Sequence, residues 1–239
     1  MKSCLIIVVA SVLISSCDVI TGQGVTGNGN IRTEKRNTGK FSGVKTAGSI
    51  DIEINTGDAY AVSVEDDDNV LPYVTTEVHD GILIVDYKDG YSINNDHARV
   101  YVTAPSLDKL SVSGSGDISS QGLLKNPGKM NISVSGSGNI KAQVDAPAID
   151  VSVAGSGDIS LNGRTKDFDC SISGSGDVNC AGLESENTTV KIAGSGNAHV
   201  FASVHLSASV VGSGDIYYRG NPASPEIHTT GSGTVQAEK

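Results

Sequence analysis

The chain has 239 residues, 29 of them glycine, with no tryptophan, 18% charged residues and a net charge of −10. That balance excludes nucleic acid and anionic membrane surfaces as electrostatic partners. The shortage of aromatics excludes a thick core and predicts a thin one of Val, Ile, Leu and Ala in a single elongated domain.

In chain order, residues 1–16 read as a processing segment. Lys2 is a minimal positive region, and Leu5 to Ile14 form an apolar run too short to span a bilayer as a mature helix. Ile14-Ser15-Ser16-Cys17 resembles the bacterial lipoprotein signal, in which the cysteine is acylated and becomes the new N-terminus. The sequence therefore predicts a lipid anchor at Cys17, each buried CH₂ contributing about 0.8 kcal/mol. The competing reading is an ordinary signal peptide that happens to contain Cys17. Residues 17–40, with Gly22, Gly24, Gly27, Gly29 and Gly39 and almost no apolar periodicity, read as a flexible tether with a reach of about 25–30 Å.

Residues 41–106 predict irregular β-structure. Ile50, Ile52 and Ile54 alternate, as do Tyr60, Val62 and Val64, and then Val100, Val102 and Ala104. Turn signals stand at Gly57-Asp58, Asp80-Gly81 and Asp89-Gly90. The continuous run Ile82 to Val85 predicts a strand covered on both faces. Ala47-Gly48-Ser49-Ile50-Asp51 reads as a decayed copy of the repeat that follows, and Asn69 to Val78, interrupted by Pro72, admits a short helical turn as an alternative to a strand.

From residue 107 one motif governs the chain. Gly-Ser-Gly followed by Asp, Asn or Thr begins at Gly114, Gly136, Gly155, Gly174, Gly194, Gly212 and Gly231, at intervals of 18 to 22 residues. Around each copy apolar residues alternate with polar ones, as in Leu110, Val112 and Ile118 against Ser111, Ser113, Asp117 and Ser119. A unit of this size cannot bury its apolar face alone, so copies must stack with strands about 4.8 Å apart. The predicted architecture is all-β, a parallel β-helix with one coil per repeat. The glycines allow either a sharp bend or a close approach of backbones.

Phe41-Ser42-Gly43-Val44, Gly48-Ser49-Ile50-Asp51-Ile52, Asp80-Gly81-Ile82-Leu83-Ile84, Val102-Thr103-Ala104-Pro105-Ser106-Leu107 and the Gly-Ser-Gly series resemble the head GIN domain family of auto-transporter adhesins. The resemblance spans residues 41–239. It implies a right-handed single-stranded β-helix, a place in the cell envelope common among Bacteroidetes lipoproteins, and a role in adhesion. It brings no catalytic residues with it.

Stacked in register, Asp117, Asn139, Asp158, Asp177, Asn197, Asp215 and Thr234 form one outward column, in which Asp158 and Asp177 are neighbouring carboxylates. Beside the column of serines this pair is a candidate Ca²⁺ site. The favoured reading is structural, with Asp and Asn suiting a bend beside glycine and the interspersed Asn relieving repulsion. Glu65-Asp66-Asp67-Asp68 reads as a solvated acidic turn, with a cation site as the less favoured alternative. His199, His205 and His228 fall in different columns, which disfavours a shared metal or a catalytic pair. Cys170 and Cys180 both point inward within one coil of an exported chain, and two readings stand open: a disulfide, or two separate core thiols.

The functional classes in contention are a non-catalytic adhesion module, a polysaccharide-binding or polysaccharide-degrading β-helix protein, and a passive envelope spacer. An enzyme is disfavoured, because the outward field of Ser, Asn and Asp reads as flat and holds no clustered acid–base pair. Tyr60, Tyr73, Tyr87, Tyr91 and Tyr101 gather in the first half, where a ligand platform would be sought if one exists. Expected partners are a surface protein or a glycan, the membrane through the anchor, and further copies of the chain; no cofactor is required, with Ca²⁺ the one candidate. The cell envelope, and within it the outer membrane, is the expected location.

Overall fold

A computed structural model describes residues 23–94 and 97–238. Cys17, the apolar leader and the start of the expected tether lie outside the described residues.

The described chain is all-β, a β-solenoid of about six turns joined by parallel bridges. Two walls face each other across a thin core. The first is built from the strands that run into each Gly-Ser-Gly: Gly43–Gly48, Lys109–Gly114, Lys129–Gly136, Ala148–Gly155, the later parts of Ile159–Gly174 and Val178–Gly194, His205–Gly212 and Glu226–Gly231. The second is built from the strands that leave it, including Asp51–Thr56, Ile118–Lys125, Ile140–Asp145, Ala198–Phe201, Ile216–Arg219 and Val235–Ala237.

The register follows the repeat. Gly48, Gly114, Gly136, Gly155, Gly174, Gly194, Gly212 and Gly231 stand directly above one another. Gly48 thus opens the first coil, so Ala47 to Asp51 is a working copy of the motif. The inward residues of each strand, such as Leu110, Ile132, Val151, Cys170, Val190 and Ala208, are buried and form one apolar column along the axis. Phe168, the largest of them, packs between Ile149 below and Thr188 above.

The two glycines of each motif do different work. Gly155 has φ +126°, a conformation that favours glycine, and it bends the chain from one wall towards the other. Gly157 shows no such angle, but a Cβ there would lie under 3.0 Å from the Gly138 carbonyl oxygen. Close approach is therefore present at both glycines, since a Cβ on Gly155 would also lie under 3.0 Å from the Gly136 carbonyl oxygen, and the first glycine adds the bend. The approach brings the amides of Ser156 and Gly157 to the single carbonyl of Gly136, at 2.9 and 3.1 Å, and the same pair of bonds recurs from coil to coil.

The first half closes one end of the solenoid with antiparallel strands. Ile82–Tyr87 runs parallel to Gly43–Gly48, and Val74–His79 then folds back against it. Leu83 and Val85 are buried, while Ile82 and Ile84 are only half covered, so the expected two-sided cover is partial. On the other wall Ala61–Asp67 lies antiparallel to Arg99–Ala104. Leu71–Tyr73 is a single 3₁₀ turn with Pro72 near its start, the short helical turn that Pro72 suggested.

The expected tether requires correction. Gln23–Thr26 pairs in parallel with Tyr91–Asn94, and Ile31–Arg36 pairs antiparallel with Ala61–Asp67. These strands escape a periodicity reading because almost nothing on them is buried: Ile31 is 52% exposed. They are held by backbone ladders at the sheet edge, which require no apolar face.

Candidate interaction surface

Three outward surfaces arise from this stack, and each is built from residues the repeat brings into columns. The first is the Asp/Asn column, which runs from Asp51 to Thr234. The side-chain Oδ1 at each level accepts the backbone N–H of the next: Asp51 from Asp117 at 3.0 Å, Asp117 from Asn139 at 2.8 Å, Asn139 from Asp158 at 3.1 Å and Asp158 from Asp177 at 2.8 Å. Asp177 accepts from Asn197 at 2.7 Å, Asn197 from Asp215 at 3.1 Å and Asp215 from Thr234 at 2.8 Å. Where Asn follows Asp its amide makes a second bond to the carboxylate, as Asn197 Nδ2 does to Asp177 at 3.1 Å. One oxygen of both Asp158 and Asp177 is thus committed to the turn above it. The column does structural work in every coil, as the favoured sequence reading has it. Among the described residues no three His, Cys, Asp or Glu side chains gather to hold a metal. At the end of the ladder the Thr234 hydroxyl, 2.8 Å from Asp215 Oδ1, is the main cause holding the Asp215 carboxyl below its usual range.

The second surface is the outer face of the first wall, and it corrects the expectation of a flat field. Asn131, Asp150, Asp169 and Thr189 form one column, and Ser133, Ser152, Ser171 and Lys191 the next. Together they line a depression of 390 Å³. The short serines make its floor and the longer Asx side chains its margin. Lys129 Nζ lies 2.5 Å from Asp150 Oδ2, and this hydrogen bond, ahead of the charges of Asp150 and Asp169, raises the Lys129 pKa. Side-chain alternation shows which residues face outward but not where unequal lengths carve a hollow. Comparing the position five residues before each motif glycine across the repeats would have shown the Asx column.

The third surface is the outer face of the second wall. His199 stacks on Tyr217 with ring centroids 4.7 Å apart and planes 15° off parallel. Arg219 Nε lies 2.9 Å from Glu238 Oε2. Here outward aromatics of neighbouring coils meet, and the pair lies in the second half. The first-half aromatics pack instead among themselves: Phe41 with Tyr60 at 5.1 Å and Tyr73 with Tyr91 at 4.5 Å. His205 and His228 stand on the first wall beside Asn187 and Ser209, apart from His199, so the three histidines do not converge.

A further expectation changes. The acidic run is not a solvated turn, because Asp66 and Asp67 are 1% and 2% exposed. The arm before it supplies the cover: Asp68 donates its amide to the Asn30 carbonyl at 3.0 Å, and Asn28 Nδ2 donates to Asp68 Oδ1 at 2.7 Å. Asp66 Oδ1 also accepts the Asp67 amide at 2.8 Å. Cys170 and Cys180 are both buried and both free thiols, one on each wall of the same coil. Burial pushes the Cys170 thiol well up and the Cys180 thiol up to about 12, so neither is a nucleophile in the fold.

The model of the family described as "Putative auto-transporter adhesin, head GIN domain" matches residues 40–222. The chain belongs to this head GIN domain family. A putative adhesin from Bacteroides fragilis shares the head GIN fold at TM-score 0.86, with 21% identity over 90% of this chain and 100% of that one. A putative adhesin from Parabacteroides merdae superposes at TM-score 0.72 with 26% identity, covering 91% of this chain and 100% of that one. A protein from Parabacteroides distasonis described as a putative lipid binding protein superposes at TM-score 0.73 with 26% identity and the same coverage. No curated protein matches the chain. Head GIN membership places the chain in an adhesin-like family, which suggests the cell surface or envelope. No helix among the described residues is long and apolar enough to cross a membrane.

Proposed function

We propose that this head GIN domain is a non-catalytic interaction module, held to the cell envelope by acylated Cys17 and acting in adhesion. The observation that carries the reading is the division of labour among its polar groups. The carboxylates of the Asp/Asn column are engaged in backbone capping, and the remaining outward side chains form broad, repetitive faces, where the carboxylate nearest His199, that of Glu238, is bound by Arg219 at 2.9 Å. Such faces suit weak contacts repeated many times, where an anchor that concentrates copies at one surface replaces single-site affinity. No bound cation is needed to hold the ladder, because hydrogen bonds close every step. The outer membrane is the location this reading takes.

The test is one of display. Purified chain is expected to bind cells or extracellular material feebly in solution, whereas beads or vesicles coated with it are retained. Hydrolysis or elimination of any polysaccharide by the purified chain, abolished by a single carboxylate substitution, would overturn the reading in favour of an enzyme. The anchor has its own check: Cys17→Ser is expected to release the protein from membranes after an alkaline wash, and persistence in the membrane fraction would remove the lipid.

A further inference from the structure

We propose that the depression on the first wall is a binding site for a neutral, hydroxyl-rich polysaccharide segment laid along the coil stack. The inference rests on the adhesion reading and assigns it a ligand class and a face.

Charge selects the ligand first. Lys129 and Asp150 are paired at 2.5 Å and cancel, while Asp169 and Lys191 stand on neighbouring coils as opposite charges within the same hollow. Asp169 accepts no hydrogen bond and Lys191 makes no ion pair among the described residues. A polyanion approaching the floor meets Asp169, and a polycation meets Lys191. A divalent cation between Asp150 and Asp169 would compete with the ammonium of Lys129, which lies 2.5 Å from Asp150 Oδ2.

The floor selects next. Ser152 and Ser171 are exposed, and each hydroxyl both donates and accepts. Ile132, Val151 and Cys170 also line the depression but are buried, so the exposed groups between them are the serine hydroxyls, to which a sugar chain presents a matching series of hydroxyls and ring oxygens. The carboxylate of Asp169 can accept from two adjacent sugar hydroxyls, and Lys191 can donate to an oxygen further along. The column from Asn131 to Thr189 covers three inter-strand steps, about 14 Å, which leaves room for a short run of sugar units. With no aromatic platform in the hollow each unit is held weakly, so binding is expected to depend on chain length and on display.

The test is electrophoresis of the purified full chain through native gels containing dextran, laminarin or mannan, with alginate as the anionic comparison. Retardation is expected in at least one neutral gel and to strengthen with polymer length. Asp169→Lys and Ser152→Phe, both at exposed positions, should each weaken it about tenfold, the equivalent of about 1.4 kcal/mol. Ser160→Phe on the opposite wall should leave it intact. No retardation in any neutral gel, retardation confined to alginate, or retardation that survives both first-wall substitutions would overturn the proposal. If beads coated with the chain are still retained on cells when every neutral gel is silent, the ligand assignment fails and the adhesion reading stands. If the beads are not retained either, both fail.

Discussion

At the scale of single residues, the repeat demands glycine at two positions, the first for its bend and its close approach and the second for close approach alone. Gly157→Ala places a methyl group against the Gly138 carbonyl oxygen and Val134 Cγ1, and a backbone oxygen in a stacked coil cannot step aside. We expect a loss of about 3 kcal/mol or more, read as a shift in the urea midpoint. Gly39→Ala has φ +74° but nothing within 4 Å, so only the backbone strain of about 1–2 kcal/mol applies. Equal costs would mean that stacking distance is not the constraint. The ladder makes a second prediction, concerning pH. Asp215 has its folded pKa depressed, so its contribution to stability is present above the unfolded value and is lost as pH falls through the lower folded value. Thr234→Val removes the leading cause while retaining the backbone donor. NMR titration should show the Asp215 midpoint rising in this variant, and an unmoved midpoint would assign the depression elsewhere.

The arm and its turn show how elements can be stable without an amphipathic signature. Ile31–Arg36 contributes a full antiparallel ladder to Ala61–Asp67, and the loop before it covers Asp67 and Asp68. Trypsin would cut a tether at Arg32, Lys35 and Arg36 within minutes. The paired strand predicts slow cleavage at all three, because a protease needs the backbone opened first. Asn28→Ala removes the side chain that bonds Asp68 and the Asn30 amide, at a cost of about 1 kcal/mol, and should speed that cleavage. The buried thiols give the matching prediction in the core. Their folded pKa values are raised, so the protonated form is favoured in the fold and stability falls as pH rises above the unfolded thiol value of about 8.5. For Cys180 the fall continues to about 12. Cys180→Ala should flatten that alkaline limb in denaturant titrations. Alkylation of the unreduced protein should label neither thiol in the native state and both after unfolding; failure to label both in denaturant would reveal a bridge.

For the whole molecule, stacking one unit many times produces a rod whose properties are those of its columns. Each coil touches only its neighbours, so damage in the middle is expected to divide the stack rather than dissolve it. Phe168→Ala, in a central coil, should cost about 3–5 kcal/mol and broaden the thermal transition, with amide exchange rising first in the coils on either side. A sharp single transition would show the solenoid to be cooperative from end to end.

The sequence by itself determined the architecture. A two-residue alternation that holds through each Gly-Ser-Gly, at near-constant intervals, leaves stacked parallel coils as the way to bury every apolar face, and the structure places Gly114, Gly136 and Gly155 in one line accordingly. It also marked the Asp/Asn column as structural, because residues suited to a bend beside glycine recurred where each bend had to be. Tertiary structure alone decided three things. It recruited Ile31–Arg36 as a strand, since backbone hydrogen bonds to a distant edge carry no local pattern. It buried Asp66 and Asp67, which lie in the strand that pairs with Arg32 and Ile31, distant in sequence. And it hollowed the first wall between Asp150 and Lys191, since a depression depends on the relative lengths of side chains in neighbouring coils, a quantity that becomes visible only once the coils are laid side by side.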